Sequence, residues 1–217
     1  MTLDHLKDCL ENNRLYLNDG KTLNDPFDLA FTNRKTRELT RMEGLRILCL
    51  TNSYRKKLMW SYYTNGHKGV CLTVSIPSNL VYPVCYTTRR LFDDTDELEI
   101  LNNSIIWRKR SLIKPWEIID QTKRRAYIKD KKWEHENEYR IVFNENEPGL
   151  ITVGDKKFMS VKFKNVYLGV KFDDKSEEGR SIINVCKNKN IKISYMGIDD
   201  MNYGLRVLKG SENNGDI

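Results

Sequence analysis

Apolar residues at positions 3, 6 and 10 repeat at the spacing of one helix face and predict a short opening helix over 3–10. Short apolar or alternating runs then predict strands over 15–17, 45–50, 70–76 and 80–86, with a helix over 56–64 between the second and third. Turn residues punctuate them: Asn18-Asp19-Gly20, and Asn24-Asp25-Pro26-Phe27-Asp28, where Pro26 disfavours helix at Asp25. The stretch 94–110 opens with acids and turns apolar, which suits a helix with acids at its positive end. Pro115 fits the first helical position of another, running to about residue 131. Strands follow over 138–143, 159–163 and 166–170, then a helix over 176–189 capped by Ser176, and strands over 191–195 and 205–208. Strands and helices in this irregular order predict an α+β fold with mixed, mostly antiparallel sheets, and argue against a doubly wound parallel sheet.

The pattern places one domain over 1–210, decorated by a basic helical insert at about 94–132, with a flexible tail over 211–217. With 39% hydrophobic and 31% charged residues the composition is that of a globular chain, and no apolar run reaches the length needed to cross a bilayer. The first eight residues lack a basic n-region and an apolar h-region, so no signal peptide and no membrane partner are expected. The five cysteines are scattered and mostly flanked by apolar residues, as reduced thiols of a cytoplasmic protein would be, and the three histidines lie too far apart to suggest a metal site.

Charge changes the picture more than composition does. The net charge is +7, and the segment 107–132 alone carries a surplus of seven positive charges. Within it Arg108, Arg110, Lys123, Arg124, Arg125 and Lys129 are candidate nucleic-acid contacts, and the interleaved Trp107, Trp116 and Tyr127, with Trp133 just beyond, offer stacking faces to unpaired bases. A solvated helical face with its aromatics turned inward accounts for the same pattern.

Two short blocks hold the candidate chemistry. In Trp133-Glu134-His135-Glu136-Asn137-Glu138-Tyr139-Arg140, the acids Glu136 and Glu138 stand one residue apart before the apolar run Ile141-Val142-Phe143. On a strand they share a face, where they repel unless something holds them. An edge strand with solvated acids is the plainer reading. In Met59-Trp60-Ser61-Tyr62-Tyr63, a serine sits between aromatics on a predicted helix; plain helix core is the alternative. No phosphate-binding glycine loop and no Gly-x-Ser-x-Gly elbow occurs.

Taken in order, Leu15-Tyr16-Leu17, Asn24-Asp25-Pro26-Phe27-Asp28, Met59-Trp60-Ser61-Tyr62-Tyr63 with His67-Lys68-Gly69, Trp133 to Arg140, and Val166-Tyr167-Leu168-Gly169 resemble a widespread bacterial family catalogued as domain of unknown function 2971. The resemblance covers about residues 15 to 170. It departs at Asn165, where a charged residue is common, and at Leu50-Thr51, where Phe-Ser is frequent. The order of blocks is also similar to that of ADP-ribosyltransferases, which implies a split sandwich of mostly antiparallel sheets with flanking helices. That resemblance implies NAD as cosubstrate, no metal, and Glu138 and Glu136 as the catalytic acidic pair. It further implies cofactor contacts from Tyr16, Asn24, Asp25, Phe27, Trp60, Ser61, Tyr63, His67 and Arg140.

The chemistry is coherent: a carboxylate stabilises the oxocarbenium-like centre formed when nicotinamide leaves, and aromatic faces hold a flat cation. The leading expectation is therefore a bacterial toxin or anti-phage effector that ADP-ribosylates nucleic acid, with an antitoxin or chaperone as a further possible partner. Two other readings stand beside it. One is a metal-dependent nuclease using Asp25, Asp28, Glu136 and Glu138, and the other a non-catalytic nucleic-acid-binding or regulatory module. For Asp25 and its neighbours a turn that bonds its own backbone is the competing account; for His67-Lys68-Gly69 it is a turn before the next strand.

Overall fold

A computed structural model describes residues 3–89, 91, 99–101 and 119–208. Most of the predicted insert, with Arg108 and Arg110, and the predicted tail fall outside these. The fold is α+β with mostly antiparallel sheets, as the pattern predicts. The described residues divide into two compact units, each assembled from separated pieces of chain. One comprises 1–15, 53–76 and 160–217, the other 16–52 and 77–159.

The first unit is built on a four-stranded sheet in the order Leu205–Val207, Lys192–Ile198, Lys162–Leu168, Val70–Ser75. Its one parallel pair, Lys162–Leu168 beside Lys192–Ile198, is bridged by the helix Glu177–Asn188, as parallel neighbours require a crossover. Ser176 caps that helix by accepting from Gly179 N–H at 3.0 Å, and Glu177 and Glu178 stand at its positive end. Gly179, Ile182, Val185 and Cys186 make its buried stripe, and the Leu3–Glu11 helix packs against it. On the short helix Lys57–Tyr63, Trp60 is buried with Met196 and Leu205, and its Nε1–H donates to Tyr54 O at 2.6 Å. The plain-core account is therefore the one Trp60 obeys.

After that helix, Asn65, Gly66 and His67 adopt positive φ of 49°, 63° and 72°, which turns the chain back. His67 O then accepts from Lys171 N–H, and Gly69 O from Gly169 N–H, both at 3.0 Å. A Cβ on Gly169 would stand 2.2 Å from His67 O and 2.8 Å from Gly69 O, so only glycine fits. His67-Lys68-Gly69 and Tyr167-Leu168-Gly169 thus meet backbone to backbone.

The second unit is built on a four-stranded antiparallel sheet ordered Asn18–Asp19, Leu45–Thr51, Glu138–Asn144, Tyr82–Pro83. Glu138–Asn144 is an inner strand, not the edge strand that solvated acids would suit. Its register places Glu138 opposite Thr51, Arg140 opposite Cys49 and Val142 opposite Ile47, all on one face. Ile47 and Val142 continue into the core with Leu29, Leu45, Tyr127 and Ile128.

Two expectations change here. The strand expected over 80–86 is a 3-10 turn followed by two short strands, because Pro83 has no N–H to continue the ladder. Its halves take different partners: Tyr82–Pro83 joins the Glu138–Asn144 strand, and Cys85–Thr87 runs parallel to Ile128–Asp130. The helix expected over 115–131 is, in its described part, a 3-10 run Gln121–Tyr127, that strand, and a second 3-10 run Lys131–Glu136. Side chains 125 to 129 are buried in succession, which no single helical face allows. Asp120 and Asp130 start each turn by accepting from Thr122 N–H at 2.9 Å and Lys132 N–H at 2.8 Å.

Candidate functional site

Five ionised side chains lie together inside the second unit: Asp28, Lys129, Glu136, Glu138 and Arg140. Arg140 is fully buried and spends all five of its N–H groups within the protein. Nε donates to Glu138 Oε1 at 2.6 Å, and Nη2 to Glu138 Oε2 at 3.0 Å and Asp28 Oδ2 at 2.6 Å. Nη1 donates to Asp28 Oδ1 at 2.8 Å and to Ala126 O at 2.7 Å. Lys129 Nζ closes the cluster on Glu136 Oε2 at 2.7 Å and Glu138 Oε2 at 2.9 Å, with Asp28 Oδ2 at 3.7 Å and the Trp133 ring centroid at 5.1 Å.

Glu136 and Glu138 do converge, though by a different route from strand alternation. Glu136 ends the 3-10 run, Asn137 takes a left-handed conformation with φ 42°, and Glu138 begins the strand. That single reversed residue lets both carboxylates reach one ammonium. Asparagine tolerates the conformation better than most residues do.

Three carboxylates against two cations leave the cluster one negative charge in excess. Burial raises the cost of ionising Glu138, but the charges of Arg140 and Lys129 outweigh it and pull its pKa down to about 2. Burial likewise disfavours charge on Arg140 and Lys129, and the surrounding carboxylates reverse that, holding both pKa values above their ordinary range. Glu138 N–H donates to Tyr86 Oη at 2.8 Å, and Tyr86 itself is pushed up, chiefly by burial. This face of the sheet reaches solvent at Cys49, whose thiol is hydrogen-bonded to Glu138. Crowding by protein atoms first, and the Glu138 charge second, raises the pKa of that thiol.

The remaining candidates are placed as follows. Asp25 is buried and accepts from Phe27 N–H at 2.9 Å, the turn-forming bond expected of an Asx side chain, while Asn24 is exposed and Phe27 is 60% exposed. Tyr16 packs edge-to-face on Phe158. Ser61 and Tyr63 are exposed and belong, with Trp60 and His67, to the other unit. Ser61 Oγ lies 3.3 Å from His67 Nε2, and the imidazole stacks on Trp60.

Three expectations are corrected. Arg140 holds carboxylates and a carbonyl, leaving no donor for an NAD phosphate. Lys129 is an inner member of the ion cluster, not a phosphate contact. Arg125 is also buried, its guanidinium 4.1 Å from the Phe31 ring centroid. The other two described basic candidates are tied locally, Lys123 to Glu147 and Arg124 Nε to Ile119 O at 3.3 Å.

Cys49 and Tyr86 belong to the site although no role was expected of them, and Asp28, expected only as a metal ligand in the nuclease reading, pairs with Arg140 instead. The second Asp of Asn-Asp-Pro-Phe-Asp was the available signal for Asp28; Cys49 and Tyr86 carried none. Each carboxylate of the cluster is already turned onto Lys129 or Arg140, and among the described residues no group of three or more His, Cys, Asp or Glu side chains is arranged to hold a metal ion.

Fold and cluster together define an α+β protein, one unit of which holds a buried, net-negative ion cluster. A family model described as "Protein of unknown function (DUF2971)" matches residues 59–141, a span that holds both the Met59–Tyr63 block and the Glu136–Arg140 block. This match supports the family resemblance of the motifs. Neither the curated proteins nor the solved structures contain a match.

Proposed function

We propose that this chain is an NAD-consuming ADP-ribosyltransferase with a split-sandwich fold, of the toxin or defence-effector kind, and that nucleic acid is its acceptor. The observation that supports the reading most is the negative charge that Arg140 and Lys129 hold on Glu138 at neutral pH, within a cluster of three carboxylates and two cations. In the reaction the C1′–N bond between ribose and nicotinamide breaks and its electron pair leaves with nicotinamide. The cationic ribose is then attacked by an acceptor oxygen or nitrogen, whose proton passes to solvent or a carboxylate. A fixed negative charge lowers the energy of that cationic centre without needing to move.

Both oxygens of Glu138 are engaged by Arg140 and Lys129, so its role is electrostatic and proton transfer belongs elsewhere. Cys49 and Thr51, opposite Arg140 and Glu138, mark where substrate meets this face. Lys131 and Lys132, both exposed, take over from Arg125 and Lys129 as nucleic-acid contacts.

The test is release of nicotinamide from labelled NAD, with total RNA, DNA and protein offered as acceptors. Glu138→Gln keeps the size of the side chain and is expected to lower turnover by about 10²-fold or more in folded protein, the cost of removing an electrostatic stabiliser. No nicotinamide release from the wild-type protein with any acceptor would overturn the assignment. Full turnover by Glu138→Gln would move the chemistry away from the cluster.

A further inference from the structure

The unit that lacks the ion cluster has a surface pocket of about 640 Å³, lined by Lys57, His67, Lys171 and the segment 198–205. That segment is braced. Met201 N–H donates to Asp199 Oδ1 at 2.9 Å, Asp199 N–H donates to Gly204 O at 3.1 Å, and Arg206 pairs with Asp200. The bracing presents Tyr203 97% exposed, with Lys57 Nζ 5.8 Å from its ring centroid. Met201 and Ile198 beside it are also exposed. An aromatic ring held in water by a tied loop has a face that the fold does not use.

The charges around it are unequal. Arg206 neutralises Asp200, and Asp199 is turned to a backbone N–H. Among the described residues neither Lys57 nor Lys171 has an acidic partner, and with Arg206 pairing Asp200 from outside the lining, only Asp199 offsets the two ammonium groups. Ammonium groups beside an unused aromatic face match a ligand with a flat ring and an anionic end.

We propose that this pocket binds a nucleoside phosphate, with Tyr203 stacking on the base and Lys57 and Lys171 holding the phosphate. The proposal is independent of the NAD chemistry above, since it uses no residue of the ion cluster. His67 supplies the reporter: its pKa is lowered, first by burial and then by the charge of Lys171, and its Nδ1 is buried without a hydrogen-bond partner. A phosphate beside Lys171 cancels that repulsion and favours the imidazolium.

The experiment follows the NMR titration of His67 against pH, its resonance identified by loss in His67→Asn, with AMP, adenosine or inorganic phosphate added to the full chain. AMP is expected to shift the His67 midpoint upward. Tyr203→Ala should weaken AMP binding about tenfold, the value of one base–aromatic stack, and Lys57→Ala with Lys171→Ala should abolish the shift. All three positions are exposed, so these variants are expected to fold. A 5′-phosphorylated single-stranded oligonucleotide that binds far more tightly than AMP would identify the end of a nucleic acid as the source of the phosphate. No shift at millimolar AMP, or equal responses to AMP and inorganic phosphate with Tyr203→Ala unchanged, would overturn the proposal.

Discussion

Replacing Arg140 with methionine is expected to destabilise the 16–52 and 77–159 unit by about 3–5 kcal/mol, the cost of breaking a buried ion pair and leaving its partners charged. Methionine fills comparable space, so loss of packing contributes little. What remains is Asp28 and Glu138 facing each other and Glu136 across Lys129 alone, a cluster two negative charges in excess. Urea unfolding followed by tryptophan fluorescence measures the change, and a midpoint within error of wild type would mean that the cluster does not hold as described.

A second comparison separates charge from shape. Combining Arg140→Met with Asp28→Asn and Glu138→Gln removes the stranded charges and should recover a large part of the loss, because a neutral replacement of a whole buried ion group costs much less than removing one member.

The same cluster sets an acid limit with a definite sign. The folded pKa of Glu138 lies at about 2, below its ordinary 4.5. Its contribution is therefore complete above about pH 4.5 and is lost as pH falls towards 2. Converted by linkage, the shift is worth on the order of 3 kcal/mol. In Arg140→Met the dominant cation is gone, so protonation of Glu138 begins at higher pH and relieves repulsion. Stability measured from pH 6 down to 3 should then fall less steeply than in wild type, or rise.

Gly169→Ala is expected to be about as damaging, for a reason that involves no charge. The added methyl would overlap His67 O at 2.2 Å and Gly69 O at 2.8 Å, both backbone atoms of a turn already committed to positive φ. Relief requires giving up the Gly169 N–H bond to Gly69 O and the Lys171 N–H bond to His67 O. A loss of about 3 kcal/mol, the upper end for forced crowding, should appear in thermal unfolding. Gly149→Ala is a suitable control, since nothing lies within 4 Å of the position its Cβ would take and only its φ of 92° opposes the change. If the two variants lose the same stability, the backbone contact at Gly169 is not what constrains it.

The strands Leu45–Thr51 and Glu138–Asn144 were legible as short apolar runs, and the helix Glu177–Asn188 because its apolar residues repeat at the helical period and Ser176 announces its start. The 119–136 region was not, for two physical reasons. Lysine and arginine read as surface residues, yet here Arg125 lies against Phe31 and Lys129 is drawn inside by three carboxylates supplied from 28, 136 and 138. Sequence periodicity cannot register a partner a hundred residues away. Convergence of Glu136 and Glu138 was expected for the wrong reason, since the reversal at Asn137, not strand alternation, produces it. Tyr203 escaped notice because a lone tyrosine in a polar loop carries no pattern.

The discontinuous make-up of the first unit bears on how the chain acquires its structure. Its sheet needs Val70–Ser75 paired with Lys162–Leu168, elements separated by more than eighty residues that belong to the other unit. Until the later strand emerges from the ribosome, Val70–Ser75 has no neighbour to satisfy its backbone groups. The opening helix Leu3–Glu11 waits still longer for Glu177–Asn188. Pairings of such long sequence separation are slow to close and leave sticky edges in the meantime. A nascent chain halted near residue 159 should therefore be a substrate for chaperones, and refolding of the full chain should be slowest in the sheet that pairs Val70–Ser75 with Lys162–Leu168.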